Sequence, residues 1–147
     1  MDNIWVLISE SSRAAIYSMA TRTAGLEEVE CFSNSAARLH ERELTSDLPG
    51  KGFHGKDGGR HALTSRSSKK DSETLNFAKT LCDALEDGRV QGRYKELVLC
   101  ASPHFLGVIR HNLTEATRRC IVAELDKNLV KATREEIRRQ VHDMLSS

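Results

Sequence analysis

No stretch of this 147-residue sequence approaches the roughly 18 consecutive apolar residues needed to cross a bilayer, which excludes a membrane-spanning helix. The chain opens Met1-Asp2-Asn3 without the basic start of a secretory signal, and its first apolar run stops at Ile8, so a cytoplasmic location is expected. Its four cysteines, Cys31, Cys82, Cys100 and Cys120, form no C-x-x-C pair and no zinc-finger spacing. Three of them fall in strand-like apolar runs and Cys82 falls on an apolar helical face, so all four read as buried free thiols in a reducing compartment. A G-x-G-x-x-G or Walker-type run is absent, as is any spacing that argues for a Ser-His-Asp or Cys-His arrangement. There is no internal repeat, heptad or low-complexity tract.

Net charge is scarce as well, at +1, but it is unevenly spread. Residues 34 to 70 carry eight Lys or Arg against four acids, a local +4 that leaves the rest of the chain at −3. A basic segment on a mildly acidic body attracts phosphate locally while the body resists nonspecific contact. The same segment holds five of the nine glycines, at 50, 52, 55, 58 and 59.

What surrounds that segment is patterned as a single domain over residues 1–147. Ile4–Ser9, Arg13–Met19 and Leu26–Phe32 are three short strand-like runs with short breaks between them, as in an antiparallel meander. A basic glycine-rich loop follows at about 34–70; Asn34–Leu44 has some helical propensity, and Pro49 to Lys70 shows no stable element. Helical periodicity then sets in through Leu75, Ala78, Leu81, Cys82 and Leu85, with a cap near Asp71-Ser72 and a stop at Gly88. Leu97–Ala101 reads as a strand, Ser102-Pro103 as the start of a helix repeating Leu106, Ile109, Leu113 and Ala116, and Cys120–Leu125 as a last strand. Thr133 and Glu136 form a capping box for a final helix that turns Ile137, Val141, Met144 and Leu145 inward. The expected fold is α/β, with a mixed five-stranded sheet, three antiparallel N-terminal strands, α-linked later strands and flanking helices, the order seen in ribonuclease-H-like folds.

That order invites a metal-dependent nuclease, which needs several carboxylates converging at strand ends. Glu10, Glu124 and Asp126 stand near such ends, but no matching set is found. His40, His54 and His61 lie among cations that would repel a metal dication, and His104 reads as an exposed residue of a first helical turn. No catalytic residue, metal or cofactor is assigned.

Asp47 to Leu63 carries more. Glycines permit close backbone approach, cations punctuate them, and Phe53 is the one stacking platform. Lys51, Lys56, Gly58, Gly59, Arg60, His61 and Arg66 are the candidate nucleic-acid-binding residues.

Spaced motifs carry a resemblance along nearly the whole chain. They are Ser11-Ser12-Arg13-Ala14, Ser46-Asp47-Leu48-Pro49-Gly50, Gly58-Gly59-Arg60-His61-Ala62, Ala101-Ser102-Pro103-His104-Phe105-Leu106-Gly107, and Glu124-Leu125-Asp126-Lys127-Asn128-Leu129. In them the sequence resembles the bacterial host attachment proteins, "required for attachment to host cells". More remotely it is similar to the central domain of archaeal and eukaryotic class I release factors and of Pelota. That second resemblance implies a release-factor-like domain that docks on the ribosome, through ribosomal RNA or tRNA, as a translation or stress factor. Arg60 stands where the release-factor glutamine would be, and a guanidinium has donors and no acceptor, so binding without peptide release is implied. The alternatives are an RNA- or nucleotide-directed hydrolase with the loop as phosphate cradle, and a protein-interaction factor acting indirectly in attachment. Oligomeric state is not legible.

Overall fold

The computed structural model describes the backbone of residues 3–34 and 59–146, and their side chains except those of 59–71. Its elements are β1 (Ile4–Ser9), β2 (Arg13–Met19), β3 (Glu27–Ser33), α1 (Gly59–Val90), β4 (Glu96–Ala101), α2 (Pro103–Asn112), the single turn α3 (Glu115–Arg118), β5 (Ile121–Leu125) and α4 (Arg134–Ser146). One sheet runs in the order β3-β2-β1-β4-β5. β1 pairs antiparallel with β2 and parallel with β4; β2–β3 is antiparallel and β4–β5 parallel. The expected mixed five-stranded α/β sheet is the one observed.

β1 reads as a continuous apolar run because it is covered on both faces, and all six residues are buried. Trp5 and Leu7 join Leu97 and Leu99 on one face, beneath Phe77, Leu81 and Leu85 of α1 and Phe105 and Ile109 of α2. Ile4, Val6 and Ile8 join Val98 and Cys100 on the other face, against Ile137 and Val141 of α4. The capping box at α4 forms in part as expected, with the Glu136 N–H donating to Thr133 Oγ1 at 3.2 Å.

Several expectations are corrected. α1 begins at Gly59, well before Asp71-Ser72, so the basic loop reaches at most to Gly58. Residues 60–70 lack an apolar stripe, but Arg, Ala, Leu and Lys suit a helix, and extending one already nucleated costs little. Nor does Gly88 stop α1. The helix ends in a Schellman turn in which the Arg93 N–H donates to Gly88 O (2.8 Å), the Gly92 N–H donates to Arg89 O (3.0 Å), and Gly92 takes φ +71°. Gly88 serves contact instead: a Cβ there would lie 2.5 Å from two atoms of the Trp5 ring. Leu75 is 37% exposed, two residues before the buried stripe starts at Phe77.

The helix expected through Ala116 is broken. Leu113 is extended (φ −79°, ψ 148°), and Thr114 starts α3 by accepting from the Thr117 N–H at 3.3 Å. A hydroxyl that competes for backbone donors favours such a cap over a helix interior. Ala116 is consequently exposed and Thr117 buried. Thr117 and Thr114 hydroxyls donate to Glu86, whose other oxygen pairs with Arg89, fastening α1 to α3. The hydrogen bond from Thr117, with those from Thr114 and Arg89, holds the Glu86 carboxyl down to about 2. Of the cysteines only Cys82 and Cys100 are buried; Cys120 is half-buried just before β5, and Cys31 is exposed on the edge strand β3.

Candidate nucleic-acid interface

β1, β4 and β5 end along one edge of the sheet. From that edge β1 turns back into β2 on one side, while β4 continues through α2 to β5 on the other. A crevice at such a reversal is where open α/β sheets take ligands. Polar side chains converge there. Ser12 donates to Glu10 Oε1 at 2.7 Å, and Asn128, from the loop after β5, donates to Glu10 Oε2 at 2.7 Å. Burial alone would raise the Glu10 carboxyl, but the bonds from Ser12 and Asn128, with Arg13 and Lys131 nearby, hold it below its ordinary value. Two segments far apart in the chain, Ser11–Ala14 and Glu124–Leu129, thus meet at one carboxylate.

The second feature of this edge is Asn34, buried at the exit of β3. Its Nδ2 donates to Ser11 O (3.2 Å) and to Glu73 O in α1 (3.4 Å), and its backbone N–H donates to Ser12 O (2.9 Å). One amide therefore ties the end of β3, the β1–β2 turn and the middle of α1. The length of α1 gives this tie its meaning. Thirty-two residues make a helix of about 48 Å, whereas a six-residue strand spans about 20 Å. The stretch from Phe77 to Val90, which carries the buried side chains, is roughly 21 Å long and matches the sheet. The turns upstream of Glu73 run past the carboxyl edge.

Those turns contain four of the candidate RNA-binding residues: Gly59, Arg60, His61 and Arg66 lie on helical backbone. The other three, Lys51, Lys56 and Gly58, lie outside the described residues, as do the possible helix at Asn34–Leu44 beyond Asn34 itself, Phe53, His40 and His54. Sequence reasoning did not single out Glu10, Asn34 and Asn128 as a set. Glu10 and Asn34 carry one signal, a polar residue directly following a strand, while Asn128 stands three residues past the end of β5.

Among the described residues, no group of three or more His, Cys, Asp or Glu is placed to hold a metal ion. Glu124 is ion-paired to Arg110 at 2.8 Å, and Asp126 is exposed beside it. His104 and His111 are exposed on α2. Burial pushes the Cys82 and Cys100 thiols up to about 12, which leaves both protonated and unreactive. No described helix is long and apolar enough to cross a membrane.

Residues 5–141 match the protein family described as "Protein required for attachment to host cells". Uncharacterized protein RP470 of Rickettsia prowazekii (strain Madrid E) is 32% identical over 77 residues. That alignment covers 51% of this chain and 51% of the relative, so the matched region spans about half of each.

Proposed function

Since the chain belongs to the family of proteins required for attachment to host cells, a description of an outcome and not of a chemistry, we propose that it is a cytoplasmic, non-enzymatic RNA-binding domain. It docks on the ribosome or on tRNA, as a translation or stress factor, and bears on attachment indirectly. The observation that carries this reading is the overhang of α1. A helix whose second half is fixed to the sheet extends its first half beyond the fold, and that half follows directly on the glycine-rich basic run. Residues 59–72 alone hold Arg60, Arg66, Lys69 and Lys70 against Asp71, a local +3. Positive charge held away from an acidic body favours a phosphate backbone, because each neutralised phosphate releases counterions.

Peptide release is not part of the proposal. Arg60, at the place of the release-factor glutamine in the remote resemblance, offers donors only.

The test is binding of purified protein to ribosomes and to tRNA across a salt series. Replacing Lys51, Lys56, Arg60 and Arg66 together by Ala should weaken binding and flatten its log–log salt dependence by roughly 0.7 to 0.9 for every phosphate no longer neutralised. Co-sedimentation and affinity equal to the parent's in that variant would remove the basic segment as the site. A parent that binds neither ribosomes nor tRNA would hand the lead to a protein-interaction role.

A further inference from the structure

The sheet edge that α1 overhangs also opens onto a groove of about 470 Å³ between the β5–α4 loop and α4, lined by Lys127, Lys131 and Arg139. Resting on the RNA-binding reading above, we infer that this groove is a second RNA-backbone contact, taking phosphodiesters that pass along the carboxyl edge from the basic half of α1.

The loop that presents the cations is held at several points. Asn128 donates to Glu10 on one side and accepts from the Val130 N–H at 3.0 Å on the other. The Ala132 N–H closes a turn onto Leu129 O at 3.0 Å, and the Leu129 side chain is buried in the core beneath α4. Lys127 and Lys131 therefore stand on a fixed backbone, and Arg139 is supplied by α4, itself packed through Ile137 and Val141.

All three cations are exposed, and none is in an ion pair with a described residue. Arg22, Arg89, Arg110 and Arg119, by contrast, are each matched to a carboxylate. Glu136 also lines the groove, which leaves three cations against one acid. An open groove with positive charge spread along it fits a continuous polyanion better than a single small anion, whose recognition needs converging donors around one point. The polyanion is RNA because the groove shares its edge with the overhang. Asn128 is bonded to Glu10, and the adjoining Ser11 is bonded through Asn34 to Glu73 of α1.

The experiment compares three proteins for tRNA and ribosome affinity over a salt series: the parent, Lys127→Gln/Lys131→Gln/Arg139→Gln, and a control with the same charge change at exposed cations elsewhere, Lys79→Gln/Lys95→Gln/Arg118→Gln. Unchanged thermal midpoints and circular dichroism establish that all three fold. The groove variant should bind at least tenfold more weakly at low salt, with a salt slope smaller by roughly 1.4 to 2.7 as two to three phosphates go unneutralised, while the control stays near the parent. Equal weakening in the control means net charge and not the groove, and overturns the inference. So does a groove variant that binds as the parent does; if the Lys51/Lys56/Arg60/Arg66 variant is weakened at the same time, the RNA-binding reading survives and only the groove is discarded. A parent without RNA affinity overturns both. Micromolar binding of inorganic phosphate that the groove variant abolishes would make this a small-anion site, and would overturn the RNA contact.

Discussion

The two ends of the sheet are closed by different physics. At the amino end of β1 and β4, Trp5 stacks on Tyr94 with ring centroids 4.8 Å apart, Arg93 lies over the Trp5 ring, and Tyr94 donates to Leu85 O at 2.6 Å. Gly88 is the notch in α1 that lets the indole fit. At the carboxyl end the closure is made of hydrogen bonds through Glu10, Ser12, Asn34 and Asn128. Aromatic packing resists opening in proportion to the area it buries. A polar closure contributes less net stability, because water can replace its bonds, and it leaves charged groups beside it free to meet a ligand. The amino end is built for stability, and the carboxyl end carries the contact we propose.

That division is broken most severely by Trp5→Ala, which should cost about 3–5 kcal/mol in urea unfolding, a large part of the stability of an ordinary domain. A loss under about 1 kcal/mol would mean that the amino end is not the stabilising one. Gly88→Ala comes next. The new methyl meets the Trp5 ring at 2.5 Å and Tyr94 Cε1 at 3.1 Å, so overpacking of about 1–3 kcal/mol competes with a gain of up to about 1 kcal/mol in helix propensity. In the Trp5→Ala background the same change should cost nothing or stabilise. A cycle that is simply additive would show that the two residues do not share the notch.

Gly88 also marks where sequence reading stops. The strands were legible because a run such as IWVLIS has no other economical burial, and the Thr133–Glu136 start of α4 because a cap acts over three residues. Gly88 and Gly92 could not be told apart by spacing: what separates their roles is a ring on Trp5, more than eighty residues away. The first half of α1 was hidden for a different reason. A solvated extension needs no apolar period, and its helical state depends on the packed turns that follow it. Asn34 looks like any polar residue after a strand until Ser11 and Glu73 are seen on either side of it. The cations of the groove come from a loop and a helix, at positions 127, 131 and 139, with no spacing that announces a site.

Glu86 gives the amino end a pH signature. Its carboxyl is held from an ordinary 4.5 down to about 2 by the bonds from Thr117, Thr114 and Arg89. A folded-state value below the unfolded one means that the stabilisation is complete above about pH 4.5 and is lost as the pH falls toward 2. Glu86→Gln should therefore lower stability at neutral pH, and its deficit against the parent should shrink through that window. Parallel stability–pH curves for the two proteins would show that the α1–α3 fastening does not titrate as described.

The smallest loss of stability is expected at the carboxyl end, from Asn34→Ala. Two carbonyls, Ser11 O and Glu73 O, lose a donor, and the bond to Glu73 is the longer, at 3.4 Å. Water reaches this edge more easily than the Trp5 notch, so about 1 kcal/mol and a few degrees of midpoint are the expected cost. The effect on RNA should be larger in proportion. Asn34 holds the β1–β2 turn against α1 at the point where the helix leaves the sheet, so its removal lets the basic overhang move relative to the groove, and ordering that overhang on RNA then costs more entropy. Affinity should fall several-fold while the log–log salt slope stays at the parent value, since no cation has been removed. This sets positioning apart from charge: variants without the loop or groove cations fall in both affinity and slope. An Asn34→Ala protein with parental affinity would make the tie purely structural. A reduced slope would mean that fewer phosphates are neutralised, and that the overhang and the body of the domain engage RNA as one rigid surface only when this amide is in place.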